Sequence, residues 1–159
     1  MKTLFLVRHG QSSWDDVSLT DRDRPLTDKG KRDAVKMGKR LAEAEVAVDA
    51  LLSSPALRAL ATAKAIARKL DFKRRHIVQD ERLYSGQVDE LLELIEEIGG
   101  EHKRLMLVGH NPLLSELVLR LADKDVNLPT CAVAVLRFDT KSWAKIGRQK
   151  LDKVTIKYS

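Results

Sequence analysis

Four residues suited to anion chemistry follow short apolar runs. Arg8 and His9 come after Leu4-Phe5-Leu6-Val7, Arg58 lies just past Ser53-Ser54-Pro55, and His110 comes after Leu105-Met106-Leu107-Val108-Gly109. Arginine presents fixed donors that match a phosphate bidentately. Helix amino termini add unpaired N–H groups and a favourable dipole. A histidine surrounded by cations has its pKa lowered, so it keeps a lone pair near neutral pH. Such an imidazole is a competent nucleophile, and the positive charge around it would stabilise a phosphoryl group in transfer. Phosphate is the natural ligand, and sulfate or carboxylate would fit the same donors. Taken alone, the tripeptide Arg8-His9-Gly10 reads equally well as an arginine paired with a carboxylate and a histidine ending a strand. The recurrence of the pattern at His110 and the placement of Arg58 favour a site.

Other chemistries find little support. A metal site needs three or four ligands at workable spacing. The four histidines are scattered, and the two at strand ends are flanked by arginine or asparagine, so no metal is expected. Cys131, the single cysteine, sits in an apolar run without a nearby base. It rules out an internal disulfide framework and suits a reducing cytoplasm. The sequence has no Walker-type loop and no Gly-x-Gly-x-x-Gly. The net charge of +6 suggests an anionic partner, and Lys73-Arg74-Arg75 with the basic stretch Lys29–Arg40 could form a patch. Acidic residues are interleaved, however, aromatics are scarce, and no nucleic-acid motif is present, so no nucleic-acid partner is expected. No apolar run approaches the roughly 18 residues of a membrane span, and the first residues do not read as a signal peptide. The expectation is a cytoplasmic protein of one domain, residues 1–159. His76 and His102 read as surface residues.

The elements that must position the four residues follow from the apolar pattern. Leu4–Val7 reads as a short buried strand ending where Gly10 lets the backbone turn. A long loop follows and carries Arg24, held extended by Pro25. Thr27 is a helix N-cap with Asp28 in the first turn, and Ala34, Met37, Leu41 and Ala44 line one face of that helix. Val48–Ser54 reads as a second strand and Pro55–Leu70 as an alanine-rich helix. There Arg58 sits at the end of the helix dipole that disfavours a cation, where an anion would restore the balance. His76–Gln79 reads as a third strand and 80–86 as a loop. Val88–Ile98 is an amphipathic helix with Leu91, Leu92, Ile95 and Ile98 on one face, closed by Gly99-Gly100. Arg104–Gly109 is a fourth strand, with Asn111 as N-cap and Pro112 at the first position of the next helix. Thr130–Phe138 and 144–157 read as antiparallel edge strands. The alternation predicts an α/β fold, a three-layer α/β/α sandwich on a largely parallel central sheet with an antiparallel edge. In such sheets ligands bind outside the carboxyl ends of the strands, where the four residues fall.

Three segments in this order resemble the histidine phosphatase (phosphoglycerate-mutase-like) superfamily: Leu6-Val7-Arg8-His9-Gly10, Ser53–Ala63 and Val108-Gly109-His110-Asn111-Pro112. The short length, the segment Arg24-Pro25-Leu26-Thr27 and the lack of a large insertion resemble the small phosphohistidine phosphatases of the SixA type. The resemblance implies that His9 is the phosphorylated nucleophile and that Arg8, Arg58 and His110 bind the phosphoryl group. It also implies that Arg24 reaches the pocket, that Gln11 and Ser12 line it, and that no cofactor is used. Larger relatives carry a glutamate in a Glu-Arg-x-Tyr pattern that Glu81-Arg82-Leu83-Tyr84 matches, which would make Glu81 the proton donor; the alternative is a surface loop carboxylate. A phosphohistidine leaving group needs less help from an acid than an alkoxide does. The expected substrate is a phosphohistidine protein, such as the phosphotransfer domain of a signalling relay, because a short chain without a lid insertion leaves the pocket open to a protein surface and the basic charge would steer an acidic one. A small-molecule phosphomonoesterase and a catalytically inactive phosphoprotein-binding module are the alternatives.

Overall fold

The computed structural model describes residues 1–158. The elements run β1 (Lys2–Arg8), α1 (Asp28–Glu43), β2 (Ala50–Ser53), α2 (Leu57–Lys69), β3 (Val78–Gln79), α3 (Arg82–Ser85), α4 (Val88–Gly99), β4 (Arg104–Gly109), α5 (Leu113–Ala122), β5 (Val133–Phe138) and β6 (Leu151–Lys157). They build one six-stranded sheet in the order β3-β2-β4-β1-β5-β6. β3, β2, β4 and β1 pair in parallel, while β5 is antiparallel to β1 and β6 antiparallel to β5. The α/β sandwich with an antiparallel edge is as the sequence pattern predicts.

Continuous apolar runs in β1 and β4 follow from burial on both faces. Successive side chains point to opposite sides. Leu4, Leu6, Leu105 and Leu107 therefore join Leu91, Leu94, Ile95, Leu114, Leu117 and Val118 of α4 and α5 in one core. Phe5, Val7, Met106 and Val108 join Ala34, Met37, Leu41, Ala59, Ala63 and Ile66 of α1 and α2 in the other. The small side chains of α2 let it lie close to both α1 and the sheet.

Several local expectations shift. His76 was expected in a strand but ends a 3-10 turn, Arg74–His76, leaving only Val78–Gln79 in β3. The run Lys73–His76 is basic and exposed, so it has no face to bury in a sheet. Residues 80–86 hold the single turn α3, whose start is fixed by the Asp80 carboxylate accepting from Arg82 N at 2.9 Å. Pro112 takes the N-cap position of α5, one residue later than expected, and its ring offers no side-chain cap. Asn111 still serves that helix from outside it: its Oδ1 accepts from Ser115 N at 3.2 Å and Ser115 Oγ at 2.9 Å. Thr27 caps α1 as expected, its hydroxyl accepting from Gly30 N at 3.0 Å.

Gly10 and Gly30 let the turn after β1 lie against the first turn of α1. A Cβ on Gly10 would meet Gly30 O at 2.9 Å, and one on Gly30 would collide with Gln11 O. Backbone blocks both positions, so no side chain can yield. Gly30→Ala is expected to lower the unfolding free energy by about 1–3 kcal/mol in a urea titration, overpacking outweighing alanine's better helix propensity. An unchanged midpoint would show that the turn moves freely.

Candidate active site

The pairing register of β1 and β4 builds the centre of the site. Arg8 stands opposite Gly109 in the parallel ladder, and the next residue of each strand is a histidine. His9 N donates to Gly109 O at 3.0 Å, and the two imidazole rings lie 4.9 Å apart between centroids. Ser54 reaches the same rim from β2, because Ser53 pairs with Val108 and Ser54 N donates to Val108 O. Arg58 arrives on the second residue of α2. Thr62, one turn later, ties this helix to the strand turn. Its hydroxyl donates to Arg58 O at 2.8 Å and accepts from Gly10 N at 3.0 Å.

Hydrogen bonds assign the ring nitrogens. His9 Nδ1 lies 2.6 Å from Gly10 O, an acceptor only, so Nδ1 carries the proton and Nε2 carries the lone pair. His110 Nε2 lies 2.7 Å from Ser54 Oγ. That oxygen already accepts from Ala56 N at 3.1 Å, so its own hydrogen is best directed at Nε2, leaving Nδ1–H of His110 as a donor. Burial holds both rings neutral. It pushes His9 down to about 4, with Arg58, Arg8 and Arg24 adding to the shift and the bond to Gly10 opposing it. It pushes His110 down to about 3, helped by His9 and Arg58.

Around the rings lies an open cleft of about 580 Å³ whose lining includes Arg8, Arg24, Arg58, Gln11, Ser12, Trp14, Asp21, Tyr84 and Thr130. Arg8 Nη1 donates to Leu128 O at 2.9 Å, while its Nε is buried without a protein partner. Arg24 Nη1 donates to Asp21 Oδ1 at 3.0 Å, and its Nε donates to Ser13 O. Trp14 stacks on that guanidinium at 3.2 Å from ring centroid to Cζ. Arg58 Nη1 donates to Asp21 O at 2.6 Å and Nη2 to Asp21 Oδ2 at 2.9 Å. Tyr84 OH donates to Asp21 Oδ2 at 2.6 Å, and its ring meets His110 edge-on. Three guanidiniums and one carboxylate leave a net positive cleft that suits a doubly charged oxyanion.

The structure thus brings together Arg8, His9, Arg24, Arg58 and His110, with Gln11 and Ser12 on the wall. Glu81 is not with them. Its carboxylate pairs with Arg22 on the exposed surface and is held below the usual range by that partner; it does not line the cleft. Asn111 lines the cleft as well as bonding to α5. Sequence reasoning missed Asp21, Tyr84, Ser54 and Thr62. The signal for Asp21 was its spacing of three from Arg24, which a turn converts into an ion pair. Among the described residues no cluster of three or more His, Cys, Asp or Glu is placed to hold a metal ion. Nor, among the described residues, is any helix long and apolar enough to cross a membrane.

Residues 4–85 match the family model described as histidine phosphatase superfamily (branch 1). An uncharacterised chloroplastic protein of Arabidopsis thaliana is 33% identical over 150 residues, spanning 89% of this chain and 69% of its own. The structure of the protein histidine phosphatase SixA complexed with tungstate shares the fold at a TM-score of 0.82 and 23% identity, over 96% of this chain and 95% of that one. A candidate phosphohistidine phosphatase SixA from Agrobacterium tumefaciens superposes at a TM-score of 0.79 and 27% identity, over 97% of both chains.

With both imidazoles pushed below their ordinary value, their resonances should stay at neutral-form shifts in an NMR titration from pH 8 to about 5. A bound dianion favours the imidazolium form, so orthovanadate should raise both midpoints. Titration near 6.5 in the free protein would contradict the buried, cation-ringed placement.

Proposed function

Because the chain belongs to the histidine phosphatase superfamily (branch 1), we propose that it hydrolyses phosphohistidine on a phosphotransfer protein through a covalent phosphoryl intermediate on His9. The observation that carries this reading is the pinned tautomer of His9. Nδ1–H is committed to Gly10 O, so the Nε2 lone pair belongs to a neutral ring at the floor of a cleft with three guanidiniums. A nucleophile needs that lone pair, and a ring buried merely to end a strand does not need the cations.

In this reading Arg8, Arg24 and Arg58 hold the phosphoryl oxygens, and Nδ1–H of His110 donates to one of them. Phosphoryl transfer asks the protein mainly for position and for donors where negative charge accumulates. Before substrate arrives, Asp21 gathers Arg58 and Arg24 at the cleft, and Ser54 orients His110. His9 Nε2 forms its bond to phosphorus as the bond to the leaving group breaks. Water then attacks the phosphohistidine, and the electron pair returns to Nε2.

A phosphohistidine protein as substrate is supported by two features. The cleft is open, and Trp14 at its edge is 73% exposed, so a side chain carried on a protein surface has access. The likeness to the Agrobacterium tumefaciens protein, described as a phosphohistidine phosphatase, runs through nearly the whole of both chains.

The test compares kcat/KM on a histidine-phosphorylated phosphotransfer domain with kcat/KM on p-nitrophenyl phosphate. Each is measured for wild type and His9→Ala. Turnover of the phosphoprotein that exceeds the aryl phosphate and falls by at least about 10³-fold in His9→Ala is expected, since a nucleophile has no substitute. Preference for the aryl phosphate would make the protein a small-molecule phosphomonoesterase. Activity surviving in His9→Ala would overturn the mechanism, and tight phosphate binding without any turnover would leave a binding module.

A further inference from the structure

Among the described residues Asp21 is the one carboxylate lining the cleft. It stands at the mouth, its side chain 49% exposed, while the two arginines that it contacts are 8% exposed. Displacement at phosphorus is in line, so a leaving group departs on the side away from the attacking His9 imidazole. Asp21, bonded to the hydroxyl of Tyr84, is the cleft residue that combines a carboxylate with exposure to solvent, as a group that meets a departing atom must. Glu81 is turned away and paired with Arg22.

We propose that Asp21 is the general acid and base of this site, made competent when the phosphoryl oxygens of the substrate take over the donors of Arg24 and Arg58. The inference rests on His9 being the nucleophile. In the free protein Asp21 is ionised. The bond from Tyr84, followed by those from Arg58 and Arg24, holds it far below the usual carboxylate range against the opposing effect of burial. The groups that face it are Tyr84 from α3, with Arg22 over the tyrosine ring, Arg58 from α2, Arg24 from its own loop, and the neutral His110 and His9 with Arg8 at the strand ends. A bound phosphoryl dianion turns the guanidinium donors toward itself and sets two negative charges beside the carboxylate. Both changes favour the protonated form, and Asp21 takes up a proton from solvent.

As His9 Nε2 bonds to phosphorus, the bond from phosphorus to the leaving atom breaks and that atom takes the Asp21 proton. In the second step a water oxygen attacks phosphorus and gives its proton to the Asp21 carboxylate. The N–P bond breaks with its electron pair returning to Nε2, and inorganic phosphate leaves. A leaving group that is stable as an anion gains little from this proton, whereas a poor one depends on it.

The experiment measures kcat/KM, which reports the step in which the leaving group departs, on phenyl phosphate and on 2,4-dinitrophenyl phosphate for the full chain and for Asp21→Asn. The expected loss in Asp21→Asn is about 100-fold larger on phenyl phosphate than on the dinitrophenyl ester, the scale of general acid catalysis. The wild-type profile on phenyl phosphate should also show an alkaline limb that is absent on the dinitrophenyl ester, which needs no variant to fold. Equal losses on the two esters would reduce Asp21 to a strut for the arginines, and an unchanged Asp21→Asn would remove it from the chemistry; either overturns the proposal. Failure of the nucleophile reading looks different: His9→Ala would then turn over the dinitrophenyl ester as wild type does.

Discussion

The site depends on one register. Two parallel strands pair so that Arg8 faces Gly109, and each is followed by a histidine. A slip of one residue would send every side chain of that strand to the other face. Leu4 and Leu6 would exchange cores with Phe5 and Val7, so the apolar packing on both sides of the sheet holds the two imidazoles in place. Stability and site geometry therefore share a cause. The ladder that buries Leu105–Val108 also puts His9 and His110 with their ring centroids 4.9 Å apart.

Electrostatics follows from where that register places the rings. Burial removes them from water, and Arg58 and Arg8 make both protonated forms costlier still, with Arg24 adding to the effect on His9, so both are neutral in a positive cleft. Arginines so close together would repel one another in an empty site. Asp21 offsets this by bridging Arg24 and Arg58, with Tyr84 closing the cluster. The cleft retains an excess of positive charge, which an oxyanion can neutralise. Second contacts supply rigidity: Thr62 joins the Arg58 helix to Gly10, and Ser54 sets the orientation of His110.

The sequence made the strand ends legible because their chemistry is local: an apolar run, a polar stop and a glycine or proline in succession. Arg8, His9, Arg58 and His110 follow from that grammar, as does the α/β alternation. Arg24 was placed by resemblance, and its loop, without periodicity, gave no direct sign of the turn that folds Asp21 back onto it. Asp21 itself was passed over because its partners, Arg58 and Tyr84, lie 37 and 63 residues away in the chain. Glu81 shows the converse. A four-residue pattern pointed to a role, but the short helix α3 aims Tyr84 at the cleft and leaves Glu81 to Arg22. The apolar residues after His76 read as a strand that includes it, while the basic run before it closes a 3-10 turn.

The central claim is that phosphorus becomes bonded to one particular nitrogen. The direct measurement is to quench the full chain in alkaline denaturant during turnover of a phosphorylated substrate and to map the adduct by mass spectrometry and ³¹P NMR. The account predicts an acid-labile phosphoryl group on Nε2 of His9, because Nδ1 is held by Gly10 O. A phosphoryl group on His110, or steady turnover with no adduct at any residue, would contradict it.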